Sequence, residues 1–189
     1  SITINQQDII DYVTMGNQSP AAGIVPPFVG YNSPGDIKFD PDKAKRLLKD
    51  AGYPNGEGFP KINFLTTDRE SSKRLAEALQ AMWKKYLGIE ISIQQMEWTS
   101  YLNTMMSKEY DLAAGGWIGD YMDPLTILDM WIKDGGNNRT NWSSDEFEEL
   151  LGEAERTAGQ KERYKILEKA EKLFLDERPI LPIYWYTRN

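Results

Sequence analysis

Apolar positions along this chain recur with two different periods, and the alternation between them sets out its elements. Ala44, Leu47, Leu48 and Ala51 fall at i, i+3, i+4 and i+7 behind Asp40-Pro41, which suits an N-cap and first helical position, and Gly52 closes the run. A strand is predicted over 61–66, then a long helix over 69–87 with the stripe Leu75, Leu79, Met82 and Tyr86, stopped by Gly88. Ile89, Ile91 and Ile93 alternate as in a strand. Trp98, Tyr101, Leu102, Met105 and Met106 return to helical spacing, and residues 110–116 return to strand. The order β-α-β-α-β, with helices long enough to cross back over a sheet, predicts an α/β fold with mainly parallel neighbours.

The later part of the chain reads as helical. A helix is expected over 124–133, and Ser143 with Glu146 has the spacing of a capping box for a helix carrying Phe147, Leu150, Leu151, Ala154 and Ala158. A second helix over 161–176 puts Tyr164, Leu167, Ala170 and Phe174 on one face, so the two are expected to form a hairpin. Near the start, residues 8–13 resemble a short helix. Residues 16–35 carry four prolines and four glycines and read as an extended surface connection, with Ile24, Val25, Phe28 and Val29 available to pack it down. The apolar, aromatic stretch Pro179-Ile-Leu-Pro-Ile-Tyr-Trp-Tyr suits a short or edge strand, with residues 183–186 as core, hinge or cleft wall.

Candidate chemistry concentrates in Gly-Gly-Trp-Ile-Gly-Asp-Tyr-Met-Asp-Pro, residues 115–124, a glycine-rich turn between the third strand and the next helix. Open α/β sheets keep ligands at the carboxyl ends of their strands. Trp117 and Tyr121 supply flat contact surface and Asp120 a negative charge, while Asp123 before Pro124 suits an N-cap. On residues alone, Asp120 is a ligand group, a solvated turn residue or a cap on a neighbouring amide, and Trp117 and Tyr121 could equally be core.

Composition narrows the chemistry. The 189 residues contain no cysteine and no histidine, which removes disulfides, thiolate nucleophiles, zinc–cysteine sites and the commonest general base. Net charge is −7, from 22 basic and 29 acidic residues, with no basic stripe, so nucleic acid is not an expected partner. No cofactor, metal site or catalytic residue is assigned. Gly115–Gly119 does not match G-x-G-x-x-G, and the acids after it would repel a phosphate. One enzymatic alternative uses Asp120 and Asp123 as paired carboxylates of a hydrolase.

Several landmarks in fixed order resemble the oligopeptide and dipeptide solute-binding proteins of ATP-driven importers. They are Ile4-Asn5 with Asp8-Ile9-Ile10, Gly23-Ile-Val-Pro-Pro27, the run from Phe39 to Tyr53, Trp83 through Ile89, and Trp98 with Tyr101. Gly116-Trp117 with Asp120-Tyr121 and Asp123-Pro124, and then residues 179–184, complete the set. The resemblance covers almost the whole chain. It implies a lobe of the periplasmic-binding-protein type II class, with residues 1–189 forming the second, C-terminal ligand-binding lobe excised from a larger two-lobed protein. The end at 184–189 would then cross the hinge.

The same resemblance implies an extracytoplasmic monomer, a cell-surface lipoprotein or periplasmic protein, that clamps an extended oligopeptide between this lobe and the missing first lobe. It would present the peptide to the membrane permease of an ABC importer. Asp120 would pair the peptide α-ammonium, Trp117 and Tyr121 would wall that end, the backbone of Ile118 would pair with the first peptide unit, and Gly116 would belong to the same ligand-binding set. Some members carry an arginine where this chain has Ala114 and a histidine near Ser72, which leaves handling of the peptide C-terminus open. The same fold also serves nickel chelates, haem and sugars, and peptide-sensing or chaperone-like roles.

Overall fold

The computed structural model describes residues 2–186; Ser1 and residues 187–189, the last part of the expected hinge crossing, lie outside the described residues. The chain divides into two compact units. Of the described residues, one comprises 2–20, 38–116 and 186, and the other 21–37 and 117–185.

The first unit opens with α1 (Gln6–Asp8), capped by the Asn5 side chain, which runs into a π-helical turn, Ile9–Thr14. The two-residue strand β1 (Ser19–Pro20) precedes α2 (Pro41–Asp50), where Asp40 accepts a hydrogen bond from the Lys43 amide as the sequence leads one to expect. There follow β2 (Ile62–Thr67), α3 (Glu70–Leu87), β3 (Ile91–Met96), α4 (Trp98–Ser107) and β4 (Leu112–Ala113). The three later strands form a parallel sheet in the order β3-β2-β4, with Phe64 opposite both Ile93 and Leu112.

The helices cover the sheet's two faces. Phe64 meets Trp83 of α3 edge to face, with ring centroids 6.2 Å apart, while Leu65 on the other face packs with Tyr101 and Met105 of α4. The buried stripe of α3 is Ala76, Leu79 and Trp83, one residue round from the expected stripe, because Trp83 must meet the sheet. Leu47 of α2, expected inside, is exposed. Gly88 ends α3 in the left-handed conformation.

The second unit contains α5 (Leu125–Leu128), continued by one 3₁₀ turn (Asp129–Trp131), then α6 (Asp145–Arg156), α7 (Gln160–Glu177) and β5 (Tyr184–Trp185). The helix expected over 124–133 is therefore only these two short turns. Helix α6 is capped by Ser144, whose hydroxyl accepts from the Phe147 amide at 3.3 Å, and not by a Ser143–Glu146 box. That register turns Phe147, Leu151 and Ala154 inward, where they meet Tyr164, Leu167, Ala170 and Phe174 of α7 as the hairpin reading requires. A fully buried leucine or phenylalanine contributes about 2 kcal/mol, so this cluster is the unit's main stabilising feature.

The proline- and glycine-rich segment is tied to that core. Ile24 and Val25 enter it and Phe28 packs beside it, whereas Val29, expected to pack, is 95% exposed at a turn tip. Glu171 of α7 is wholly buried, and its Oε1 accepts hydrogen bonds from the Ile24 and Val25 amides and the Ser33 hydroxyl. Tyr31 Oη donates to its Oε2 at 2.7 Å.

Candidate functional site

The glycine-rich turn begins where β4 ends. The Ala114 amide donates to Leu65 O and its carbonyl accepts from the Tyr101 hydroxyl, so the last residue before the glycines is held by the sheet and by α4. Gly115 has open space at the position of a Cβ. At Gly116 that atom would lie 2.9 Å from Tyr186 Oη. Gly116 itself is exposed.

From Trp117 to Trp185 the chain belongs to the second unit. A Cβ on Gly119 would lie 2.6 Å from Cγ2 of the buried Thr126, so the turn lies directly against α5. Thr126 Oγ1 accepts from the Asp120 amide at 3.0 Å. These contacts fix the backbone at Asp120 and leave its side chain exposed. Among the described residues the Asp120 carboxylate has no hydrogen bond or ion pair.

Asp123 stands in a different environment. Its Oδ1 accepts from the Leu125 amide at 2.9 Å, but α5 begins at Leu125 with Pro124 as its flanking residue, so Asp123 lies one position before the N-cap place expected of it. Arg163 of α7 grips it with both arms, Nη1 to Oδ2 at 2.5 Å and Nη2 to Oδ1 at 2.8 Å. Partial burial works against the charged form, but the hydrogen bonds from Arg163 and Leu125 and the guanidinium charge outweigh it and hold the carboxyl below its usual range. A carboxylate held in this way is poorly suited to accept and return protons, which removes the second member of the Asp120–Asp123 hydrolase pair.

Tyr121 projects with 47% of its surface exposed, and its hydroxyl donates to Asp129 Oδ2 at 3.2 Å. Burial, reinforced by the charge and hydrogen bond of Asp129, pushes the phenol up to about 12. At Asp129 burial pushes the carboxyl up, the Tyr121 hydrogen bond pulls it down, and the charges of Asp120 and Glu155 add to the rise. Trp117 is half-buried, with its indole N–H cut off from water and unpaired. Ile118 is 70% exposed, and neither its N–H nor its C=O is hydrogen-bonded within the described chain.

The second unit carries Trp117, Ile118, Asp120 and Tyr121 on one short turn, and Gly116 immediately precedes them in the first unit. Thr126, Asp129 and Arg163 were not foreseen. Thr126 and Asp129 lie on the short helical turns and Arg163 forty residues beyond Asp123, and no local spacing connects them to the turn.

Among the described residues no helix is long and apolar enough to cross a membrane. Residues 1–139 match the family model described as bacterial extracellular solute-binding proteins, family 5 middle. The chain is 34% identical to the oligopeptide-binding protein OppA of Bacillus subtilis over 98% of its own length and 36% of that protein's. It is 31% identical to the dipeptide-binding protein DppE of the same organism, over 100% of this chain and 36% of the relative. The crystal structure of a periplasmic oligopeptide-binding protein, OppAIV of Borrelia burgdorferi, superposes with a TM-score of 0.91 at 30% identity, covering 97% of this chain and 37% of that one. The chain therefore spans little more than a third of the length of these relatives. With most of its residues matched by the family model and its fold shared with a peptide-binding relative, this chain belongs to the family 5 bacterial extracellular solute-binding proteins.

Proposed function

We propose that this chain is the second lobe of a two-lobed peptide-binding protein that serves an ATP-driven importer from outside the cytoplasm. In this reading, Asp120 pairs the α-ammonium of an extended peptide, Trp117 and Tyr121 flank it, and the free backbone groups of Ile118 meet the first peptide unit. The observation that carries the reading is the contrast between two carboxylates three residues apart. Asp123 is neutralised by Arg163, whereas Asp120 stands exposed on a fixed backbone with no side-chain partner among the described residues. A cation enclosed by a closing lobe requires such a carboxylate, and one already paired could not serve. The named relatives bind oligopeptides and dipeptides, which supports a ligand of that class.

Calorimetric titration of the full-length protein tests this. Asp120→Asn is expected to weaken a free-amine tripeptide by about 2 kcal/mol or more, roughly thirtyfold, since a buried charge pair has lost one member. The N-acetylated form of the same peptide should change by less than about threefold. Equal losses for both peptides would remove Asp120 from amine capture. Absence of heat with any peptide would move the ligand to a metal chelate, haem or sugar.

A further inference from the structure

We propose that Asp129 is a positioning residue for amine capture, acting through Tyr121. The inference rests on the peptide-binding reading above and assigns a role to a residue that reading does not use.

Three observations in the second unit lead to it. Tyr121 follows Asp120 directly and presents a half-exposed ring, and among the described residues the one hydrogen bond of its side chain is the donation from Oη to Asp129 Oδ2 at 3.2 Å. Without that bond, rotation about the side-chain torsions would move the ring from its place, and holding it costs entropy. Asp129 follows the last residue of α5, the same short helix whose Thr126 anchors the Asp120 amide, so one element fixes both the backbone of the carboxylate and the ring beside it. Among the described residues Asp129 has no ion-pair partner, because Arg163, the cation of this turn, is bound by Asp123 on both arms.

Charge adds a second consequence. The groups facing Asp129 are Tyr121 and Asp120 from the turn and Glu155 from α6, and both carboxylates raise its pKa. Tyr121 in turn faces Asp123 and Arg163. An arriving ammonium lowers the repulsion between Asp120 and Asp129, so binding is linked to proton loss from Asp129. Lowering the pH through the Asp129 pKa protonates it and weakens amine binding, above the pH at which an isolated aspartate would do so.

The test titrates the full-length protein with trialanine and N-acetyl-trialanine across pH 4.5–8, comparing wild type with Tyr121→Phe, Asp129→Ala, Asp129→Asn and the double variant Tyr121→Phe/Asp129→Ala. Tyr121→Phe and Asp129→Ala should each weaken trialanine about tenfold, with the double variant no weaker than either, because both remove one shared bond. N-acetyl-trialanine should change much less. Asp129→Asn, whose amide oxygen can accept the same bond but which carries no charge, should recover only the hydrogen-bond part of the loss near neutrality and move the acid limb of binding to lower pH. A wild-type level of binding by Tyr121→Phe, additive losses in the double variant, equal losses for the acetylated peptide, or an unmoved acid limb would each overturn the proposal. Tyr121→Phe keeps the ring and is not expected to unfold the protein, so the test survives a failure of Asp129→Ala to fold. If wild type binds neither peptide, the peptide reading itself fails and this proposal with it; normal wild-type binding with indifferent variants refutes the positioning role alone.

Discussion

Replacing Glu171 tests how the proline- and glycine-rich segment is held. Its carboxylate is wholly buried and accepts from two backbone amides, Ile24 and Val25 at 2.9 and 3.0 Å, and two hydroxyls, Ser33 and Tyr31 at 2.8 and 2.7 Å. In Glu171→Ala the hydroxyls can turn elsewhere, and Tyr31 Oη already lies 3.4 Å from Leu167 O. The amides of Ile24 and Val25 are fixed by the backbone and cannot. Each buried donor left without an acceptor costs about 1–3 kcal/mol, so the two together give a loss of about 4 kcal/mol before any cavity is counted. Glu171→Gln keeps Oε1 in place, and Tyr31 can accept from the new amide while donating to Leu167 O, so its cost should be about 1 kcal/mol.

Amide hydrogen exchange at Ile24 and Val25 in the full-length protein reads the local effect, and guanidinium unfolding followed by tryptophan fluorescence reads the global one. Trp131 and Trp142 pack against Phe174 and report on the same core. A loss below about 1 kcal/mol for Glu171→Ala, or equal losses for alanine and glutamine, would refute the reasoning. pH supplies an independent check. Burial raises the Glu171 pKa against the pull of its four donors. A carboxyl with a raised folded-state pKa contributes its stabilisation fully below the unfolded value and loses it as pH rises through the folded one. Wild type should therefore gain stability relative to Glu171→Gln as pH falls from 7 towards 4.5, and a gain in the opposite direction would contradict the burial argument.

Two further substitutions probe the turn. Arg163→Ala leaves the partly buried Asp123 unpaired and should cost about 2 kcal/mol near neutrality, less than a fully buried pair because both side chains keep over a fifth of their exposure; since the Asp123 pKa is lowered on folding, that difference should shrink as pH falls through its folded-state value, read by denaturant unfolding at two pH values. Gly119→Ala drives a methyl into Thr126 and should cost about 1–3 kcal/mol while weakening free-amine peptides, whereas Gly115→Ala meets nothing within 4 Å and should change the melting temperature little.

Elements with a strong period and a local stop signal were legible before any coordinates. The Asp40-Pro41 start, the Gly88 stop and the inward face of α7 depend on neighbours within one or two turns of the chain. Where two local readings compete, packing decides. Ser143 and Ser144 both suit an N-cap, and Ser144 is used because that register buries Phe147. The α3 stripe is rotated for the same reason, to bring Trp83 against Phe64. Val29 had the composition of a packing residue, but it occupies the turn between Phe28 and Tyr31, whose bridge points it outward. Glu171 did leave a sequence signal. It falls at i+4 from Leu167 and i−3 from Phe174, an acidic residue on an apolar stripe, which requires partners from elsewhere in the chain.

The candidate site shows why motif reading stops short of a mechanism. Asp120, Asp123 and Asp129 lie within ten residues and are chemically identical, and local sequence distinguishes only Asp123, through the proline after it. Their roles separate when tertiary partners are assigned: Arg163 to Asp123, Tyr121 to Asp129, and, among the described residues, none to the Asp120 carboxylate. Each assignment depends on α5 and α7 packing so that residues far apart in sequence converge on the turn. A lone carboxylate in such a setting is costly only when it is enclosed, and here it is exposed. Asp120 is thus stable in water without a partner among the described residues, and in the proposed reading it would depend on one once a ligand and a second lobe excluded that water, so that amine binding and closure would be energetically coupled.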